Sequence, residues 1–168
     1  MSRIFLIGFM GSGKTFLGKQ LAQLLNYEFI DLDEAIEKEG GVSIAEIFSA
    51  NGEEYFRNEE SSVLKSISQK QNVVVATGGG TPCFYDNMKW MNDHGLTVYL
   101  KLTPEFLFQR LKPETLHRPL LSGKSEEQLK FYISSKLDER KPYYAMSHIT
   151  VKANEIAAPA IATLITEF

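Results

Sequence analysis

The stretch IFLIGFMGSGKT, Ile4 to Thr15, leaves fewer structural choices than any other part of the chain. An apolar run rich in β-branched and aromatic residues reads as a buried strand. It ends at Gly8, the first residue of a match to G-x-x-x-x-G-K-[ST], and a helical pattern follows directly. A strand that turns through glycines into a helix gathers backbone N–H groups and a helix N-terminus at one point, which makes a nest for anions. Lys14 can then reach the outer phosphates of a nucleoside triphosphate, and the Thr15 hydroxyl can ligate magnesium. The loop implies phosphate binding but leaves the phosphoryl acceptor open.

The rest of the chain alternates in the same way. Strands are predicted at Arg3 to Ile7, Glu28 to Leu32, Val73 to Thr77, Leu96 to Leu102 and Ile149 to Lys152, with helical patterns between them. That is the signature of a parallel sheet flanked by helices, an α/β domain. The first helix opens at Lys14 and is expected to turn Leu17, Leu21, Leu24 and Leu25 inward. SIAE, Ser43 to Glu46, is a capping box followed by Ile44, Ile47 and Phe48 as a buried face. A longer helix from about Glu53 to Ser68 buries Phe56, Val63, Leu64 and Ile67. Thr103 caps another helix with Pro104 at its first position, and the last helix is expected to bury Ile161, Leu164, Ile165 and Phe168. Trp90, Phe84, Met88 and Met91 read as core. Two segments break the rhythm of this single 168-residue domain: a helical insertion, about 33 to 71, and KPETLHRPLLSGK, Lys112 to Lys124, which reads as a mobile loop. An acceptor pocket and its cover belong in such insertions.

Several residue types then point to chemistry. Asp31 and Asp33 fall two apart at a strand end, where ligands bind in α/β sheets. One can hold hydrated magnesium and the other orient or deprotonate an attacking hydroxyl; helix capping is the alternative for such a pair, and the phosphate loop upstream favours the functional role. Glu60 lies on the inward stripe of its helix, and a buried carboxylate needs a partner, for which Arg57 stands one turn earlier. Beyond Leu129, Ile133 and Leu137 the next stripe position falls on Arg140, with Lys141 almost equally placed. Two arginines at one cavity suit a carboxylate, so a small, hydroxylated, acidic acceptor is expected. TGGGT, Thr77 to Thr81, removes side chains where a ligand can press on the backbone. Arg118, in the mobile loop, can neutralise charge on a transferring phosphoryl group.

Other classes are disfavoured. A net charge of −3 lacks the basic footprint of a nucleic-acid binder, and no apolar run approaches a membrane span. One cysteine, Cys83, fits a reducing compartment, with the cytoplasm as default. Cys83 reads as a packed hydrophobe, and His94, His117 and His148 lack metal-ligand spacing. A guanine-reading N-K-x-D motif is absent, which argues against a GTPase-type switch.

Taken together, GFMGSGKT, DLD, FR with a glutamate three residues on, GGG, RPLL and ERKPYY resemble the shikimate kinase family along nearly the whole chain. The resemblance implies a five-stranded parallel sheet in order 2-3-1-4-5 with a lid and an acceptor-binding insertion. It implies phosphoryl transfer from ATP to shikimate with Mg²⁺. Gly11, Ser12, Gly13, Lys14, Thr15 and Phe16 would contact the nucleotide, with Arg110 stacked on adenine and Arg118 at the phosphates. Thr15 and Asp31 would serve the metal, and Lys14, Asp33 and Arg118 the catalysis, with Asp33 as base. Arg57, Arg140, Gly79, Gly80 and Asp33 would hold shikimate, with Glu60 supporting Arg57. A monomer acting on two small molecules, away from membranes and nucleic acids, is the resulting expectation.

Overall fold

A computed structural model describes residues 3–114 and 120–168. Five strands, β1 (Arg3–Ile7), β2 (Glu28–Asp31), β3 (Val73–Ala76), β4 (Leu96–Lys101) and β5 (Ile149–Lys152), form one sheet in the order β2-β3-β1-β4-β5. Every neighbouring pair is parallel. Ile4 to Ile7, Val73 to Ala76 and Val98 to Leu100 are buried because helices cover both faces, which is why these strands read as continuous apolar runs. The helices are α1 (Lys14–Leu25), α2 (Leu32–Gly40), α3 (Ile44–Ser66), α4 (Asn87–His94), α5 (Pro104–Leu111), α6 (Glu126–Tyr144) and α7 (Ala158–Glu167).

Register brings the site together. Asp31 stands level with Ala76, and Ala76 with Leu6, so the chain leaves β2, β3 and β1 at one edge of the sheet. Three strands end one residue earlier than their patterns suggest. Asp31 is already the N-cap of α2. Thr77 bonds the Leu6 carbonyl through both its amide and its hydroxyl instead of extending the ladder. Leu102 precedes the Thr103 cap.

Two predicted faces are corrected. In α1, Leu24 is exposed, and the inner face is instead Leu17, Gly18, Leu21 and Ala22. Gly18 is required there: a Cβ would come within 2.6 Å of the Phe29 ring. In α7, Ile161 and Ile165 are buried as expected, but Leu164 and Phe168 are exposed because Ala158 occupies the inner stripe with them. The capping boxes at Ser43 and Ser125 close as their spacing requires.

The insertion departs most from its sequence reading. Its two expected helices run end to end as α3, bent at Gly52, where φ is 82° and ψ 176°. That backbone region is essentially glycine's alone. The bend brings the rings of Phe48 and Phe56 to a centroid distance of 4.7 Å. Nothing lies within 4 Å of a Cβ built on Gly52, so a substitution there meets only torsional strain. Gly52→Ala is expected to cost about 1–3 kcal/mol, seen as a lower urea midpoint at an unchanged m-value.

Candidate active site

The phosphate loop leaves β1 and enters α1 through Gly11 and Gly13, at φ 76° and 93°, left-handed conformations that a side chain would strain. Gly13 is the N-cap of α1 and carries no capping side chain, so the first helical amides stay open to a ligand. Lys14 is buried with its Nζ turned onto the loop, donating to the carbonyls of Gly8 at 2.7 Å and Phe9 at 2.8 Å. The Thr15 hydroxyl donates to Asp31 Oδ2 at 2.9 Å. Asp31 Oδ1 accepts the amides of Asp33 and Glu34 and starts α2. Capping and an orientation towards the phosphate loop, competing readings in the sequence, are carried by different oxygens of one carboxylate.

Two cavities meet at this edge. The larger, about 420 Å³, is walled by the phosphate loop, Phe16, Asp31, Asp33, Arg110 and the glycines after β3. The smaller, about 190 Å³, lies between α3, those glycines, Leu120 and Arg140. Both are lined by Met10, Asp33, Gly78 and Gly79, so Asp33 stands on the wall that the two cavities share. Its carboxyl is pushed up to about 6, first by lost hydration in the concave wall, then by the like charges of Asp31 and Glu60, against the pull of Lys14.

The smaller cavity is built around a buried charge. Glu60 is 1% exposed. Its Oε1 accepts from Arg57 Nη1 at 2.8 Å, and its Oε2 from the Thr81 hydroxyl at 2.7 Å. Arg57 also reaches Glu53 at 3.4 Å, and its guanidinium lies 4.0 Å from the Phe84 ring centroid and 5.1 Å from that of Phe56. Phe84 therefore serves this arginine, a correction to its reading as core beside Trp90. Arg140 Nη1 is buried without a hydrogen-bond partner among the described residues. Lys141, its rival by spacing, is exposed and lies 3.9 Å from Asp138. The cavity takes Arg140.

The glycines answer to the protein's own side chains. A Cβ on Gly78 would lie 3.1 Å from Glu60 Oε2 and 3.3 Å from Asp33 Oδ1. On Gly79 it would meet Arg140 Nη1 at 3.0 Å, and on Gly80 Arg57 Nη2 at 2.7 Å. Tyr144, fully buried, donates its hydroxyl to the Gly79 carbonyl at 2.5 Å. On the far side, Arg110 donates to the Gly11 carbonyl at 3.0 Å and borders a further cavity of about 400 Å³ with Phe16, Gln20 and Ile156. Cys83 is pushed up to about 11 by burial, so it stays a protonated packing group. Arg118 and His117 lie outside the described residues. Sequence reasoning missed Glu53, Thr81, Phe84 and Tyr144 as site residues. Thr81 and Tyr144 stood inside stretches already singled out, TGGGT and ERKPYY, and Glu53 lies one helical turn before Arg57, a spacing that marks an ion pair, whereas nothing local marked Phe84.

A family model described as shikimate kinase matches residues 10–168. A shikimate kinase from Phocaeicola vulgatus is 46% identical over 156 residues, covering 93% of this chain and 89% of that protein. A crystal structure of shikimate kinase from Bacteroides thetaiotaomicron superposes with a TM-score of 0.91 at 41% identity, covering 98% of this chain and 96% of that one. A shikimate kinase from Acinetobacter baumannii in complex with shikimate gives a TM-score of 0.86 at 36% identity, covering 99% and 92%.

The Asp33 carboxyl has consequences for stability. The folded state takes up its proton near pH 6 and the unfolded chain near the ordinary 3.8, so stability falls as pH rises across that window. Asp33→Asn removes the penalty. After allowance for water in the open cleft, it is expected to stabilise the fold by about 1 kcal/mol at pH 7.5, and the gain should vanish below pH 4 in denaturant titrations.

Proposed function

The chain belongs to the shikimate kinase family and transfers the γ-phosphoryl group of ATP to the 3-hydroxyl of shikimate, and we propose that its two joined cavities divide that reaction, nucleotide in the larger and shikimate in the smaller. The products are shikimate 3-phosphate and ADP, on the route to chorismate and the aromatic amino acids. One observation carries the assignment of the smaller cavity. The buried, unpartnered Nη1 of Arg140 lines the same 190 Å³ space as Arg57 and Asp33. A carboxylate there satisfies the orphaned donor, and the planar acid group matches two guanidinium forks. Gly79 and Gly80 supply the backbone wall against which the ring rests.

With its carboxylate so held, shikimate presents a hydroxyl to Asp33 on the wall shared by the cavities. Asp33 takes the hydroxyl proton as the oxygen bonds to the γ-phosphorus and the bond to the β–γ bridging oxygen breaks, leaving ADP. An aspartate titrating near 6 is ionised at neutral pH and more basic than an ordinary one, which suits a general base. Lys14 exchanges its loop carbonyls for phosphate oxygens, and the amides of Gly11 to Thr15 cradle the chain of phosphates, with Ser12 packed beneath the loop. Phe16 and Arg110 face the nucleoside. Arg118 in the lid, about 112 to 124, neutralises charge on the phosphoryl group, and the insertion, about 33 to 71, holds the acceptor.

Magnesium fits the donors present. Thr15 and Asp31 place a hydroxyl and a carboxylate 2.9 Å apart beside the phosphate loop, hard oxygen donors of the kind the ion takes together with substrate phosphates and water. When bound, it neutralises phosphate charge. We assign the enzyme to the cytoplasm, supported by its single cysteine, and to a monomeric state, since Arg57, Arg140 and Asp33 all come from one chain.

In a coupled ADP-release assay, Arg57→Ala and Arg140→Lys are each expected to raise the shikimate KM at least ten-fold while moving the ATP KM little; an unmoved shikimate KM would refute the clamp. The pH profile of kcat/KM for shikimate should fall on its acid side with an apparent pKa near 6, as the free enzyme's Asp33 takes up its proton.

A further inference from the structure

Tyr144 closes α6 with its side chain fully buried, its ring 4.9 Å from that of Tyr99 on β4, and it lines neither cavity of the site. Its hydroxyl donates to the Gly79 carbonyl oxygen at 2.5 Å and stands beside the Arg140 guanidinium. Arg140 lies four residues earlier, on the same helical face. It addresses the same residue, with Nη1 3.0 Å from where a Gly79 Cβ would be. One turn of α6 thus holds the Gly79 carbonyl through Tyr144 and sets the unbonded Arg140 Nη1 beside the same residue.

The peptide joining Gly79 to Gly80 is trans, since no cis bond occurs in the described residues. In a trans peptide the carbonyl and the following N–H point in opposite directions. With the Gly79 carbonyl drawn to Tyr144 on the core side, the Gly80 N–H is aimed at the other face of the strap. Gly79 and Gly80 both line the smaller cavity. Two adjoining glycines have the loosest torsions a chain can offer, so this peptide would turn over easily without an anchor. We propose that Tyr144 is a positioning residue for acceptor binding: it holds the Gly79 carbonyl so that the Gly80 N–H stands as a fixed donor in the shikimate cavity. Burial holds the phenol's ionisation above its ordinary range, so it remains a donor wherever the enzyme works.

The inference rests on placing shikimate in the smaller cavity, and its test separates the two. Tyr144→Phe keeps the ring against Tyr99 and removes only the hydroxyl. A mere packing role would lower the melting temperature and leave kinetics at 25 °C unchanged. The positioning role raises the shikimate KM about ten- to hundred-fold, with the ATP KM within two-fold of wild type. A second measurement needs no variant: in the wild-type protein titrated with shikimate alone, the Gly80 amide resonance should shift with the same saturation as the Arg57 and Arg140 side-chain signals. An unmoved shikimate KM in Tyr144→Phe, or a Gly80 amide that ignores a shikimate that both arginines feel, overturns the positioning role and leaves the cavity assignment standing. If none of these resonances responds, the cavity assignment falls and the proposal with it.

Discussion

A carboxylate sealed inside a helix face sets the terms for the smaller cavity of this molecule. Glu60 has no route to water, so each of its oxygens must be matched by protein, and leaving such a charge unpaired costs several kcal/mol. Arg57 satisfies one oxygen and Thr81 the other. The same helix reaches the strap a second time, since the Ser61 hydroxyl donates to Asn87, and the Asn87 amide donates to the Thr81 carbonyl. One polar network thereby ties α3, the start of α4 and the turn after β3. Its geometry, once satisfied, fixes where the Arg57 guanidinium stands. Stacking between Phe84 and Phe56 then removes most of that side chain's remaining freedom.

The three glycines after β3 are the other half of the same fit. Each faces a different set of side chains at a distance where a methyl group would crowd them: Asp33 and Glu60 at Gly78, Arg140 at Gly79 and, most tightly, Arg57 at Gly80. The run is therefore a template against which acid and base are packed. Tyr85 shows a related cost close by. It adopts a φ of 50° immediately after Phe84, an uncommon conformation for an aromatic residue, in the turn that lays Phe84 on Arg57.

How much of this was legible from the chain alone follows from the range of each interaction. The phosphate loop, the five strands, the Ser43 capping box and the Arg57–Glu60 pair are local, set by spacings of one to four residues, and the structure forms all of them. Leu24, Leu164 and Phe168 were misassigned because a helical stripe specifies an angle but not the width of the face that a neighbouring element covers. Gly18 and Ala158 show that small residues can hold the inner position where two elements approach closely. Asp31 drew two readings, capping and a role at the phosphate loop, because the two fall on its two oxygens. Tyr144 and Thr81 were in view, yet their partners lie 65 and 21 residues away, beyond any periodicity. The choice between Arg140 and Lys141 likewise needed the cavity, since spacing along α6 gave them nearly equal claims.

The two arginines of the smaller cavity are electrostatically unlike, and this has a bearing on selectivity. Arg57 is already matched by Glu60 and Glu53, so a ligand finds a rigid planar donor there but little uncompensated charge. Arg140 keeps a buried donor in reserve. On the proposed reading, a hydroxylated ring without a carboxylate would leave that donor dry and unpaired, and a site with unmet buried polar groups rejects such a ligand more strongly than any loss of apolar contact could. The acid must also sit within reach of Asp33, whose neighbours Asp31 and Glu60 already crowd it with like charge. Burial first, and like charge second, make the aspartate basic. On the same proposed reading the reserved donor of Arg140 selects the acidic acceptor, so two different features of one strap's surroundings set basicity and selectivity.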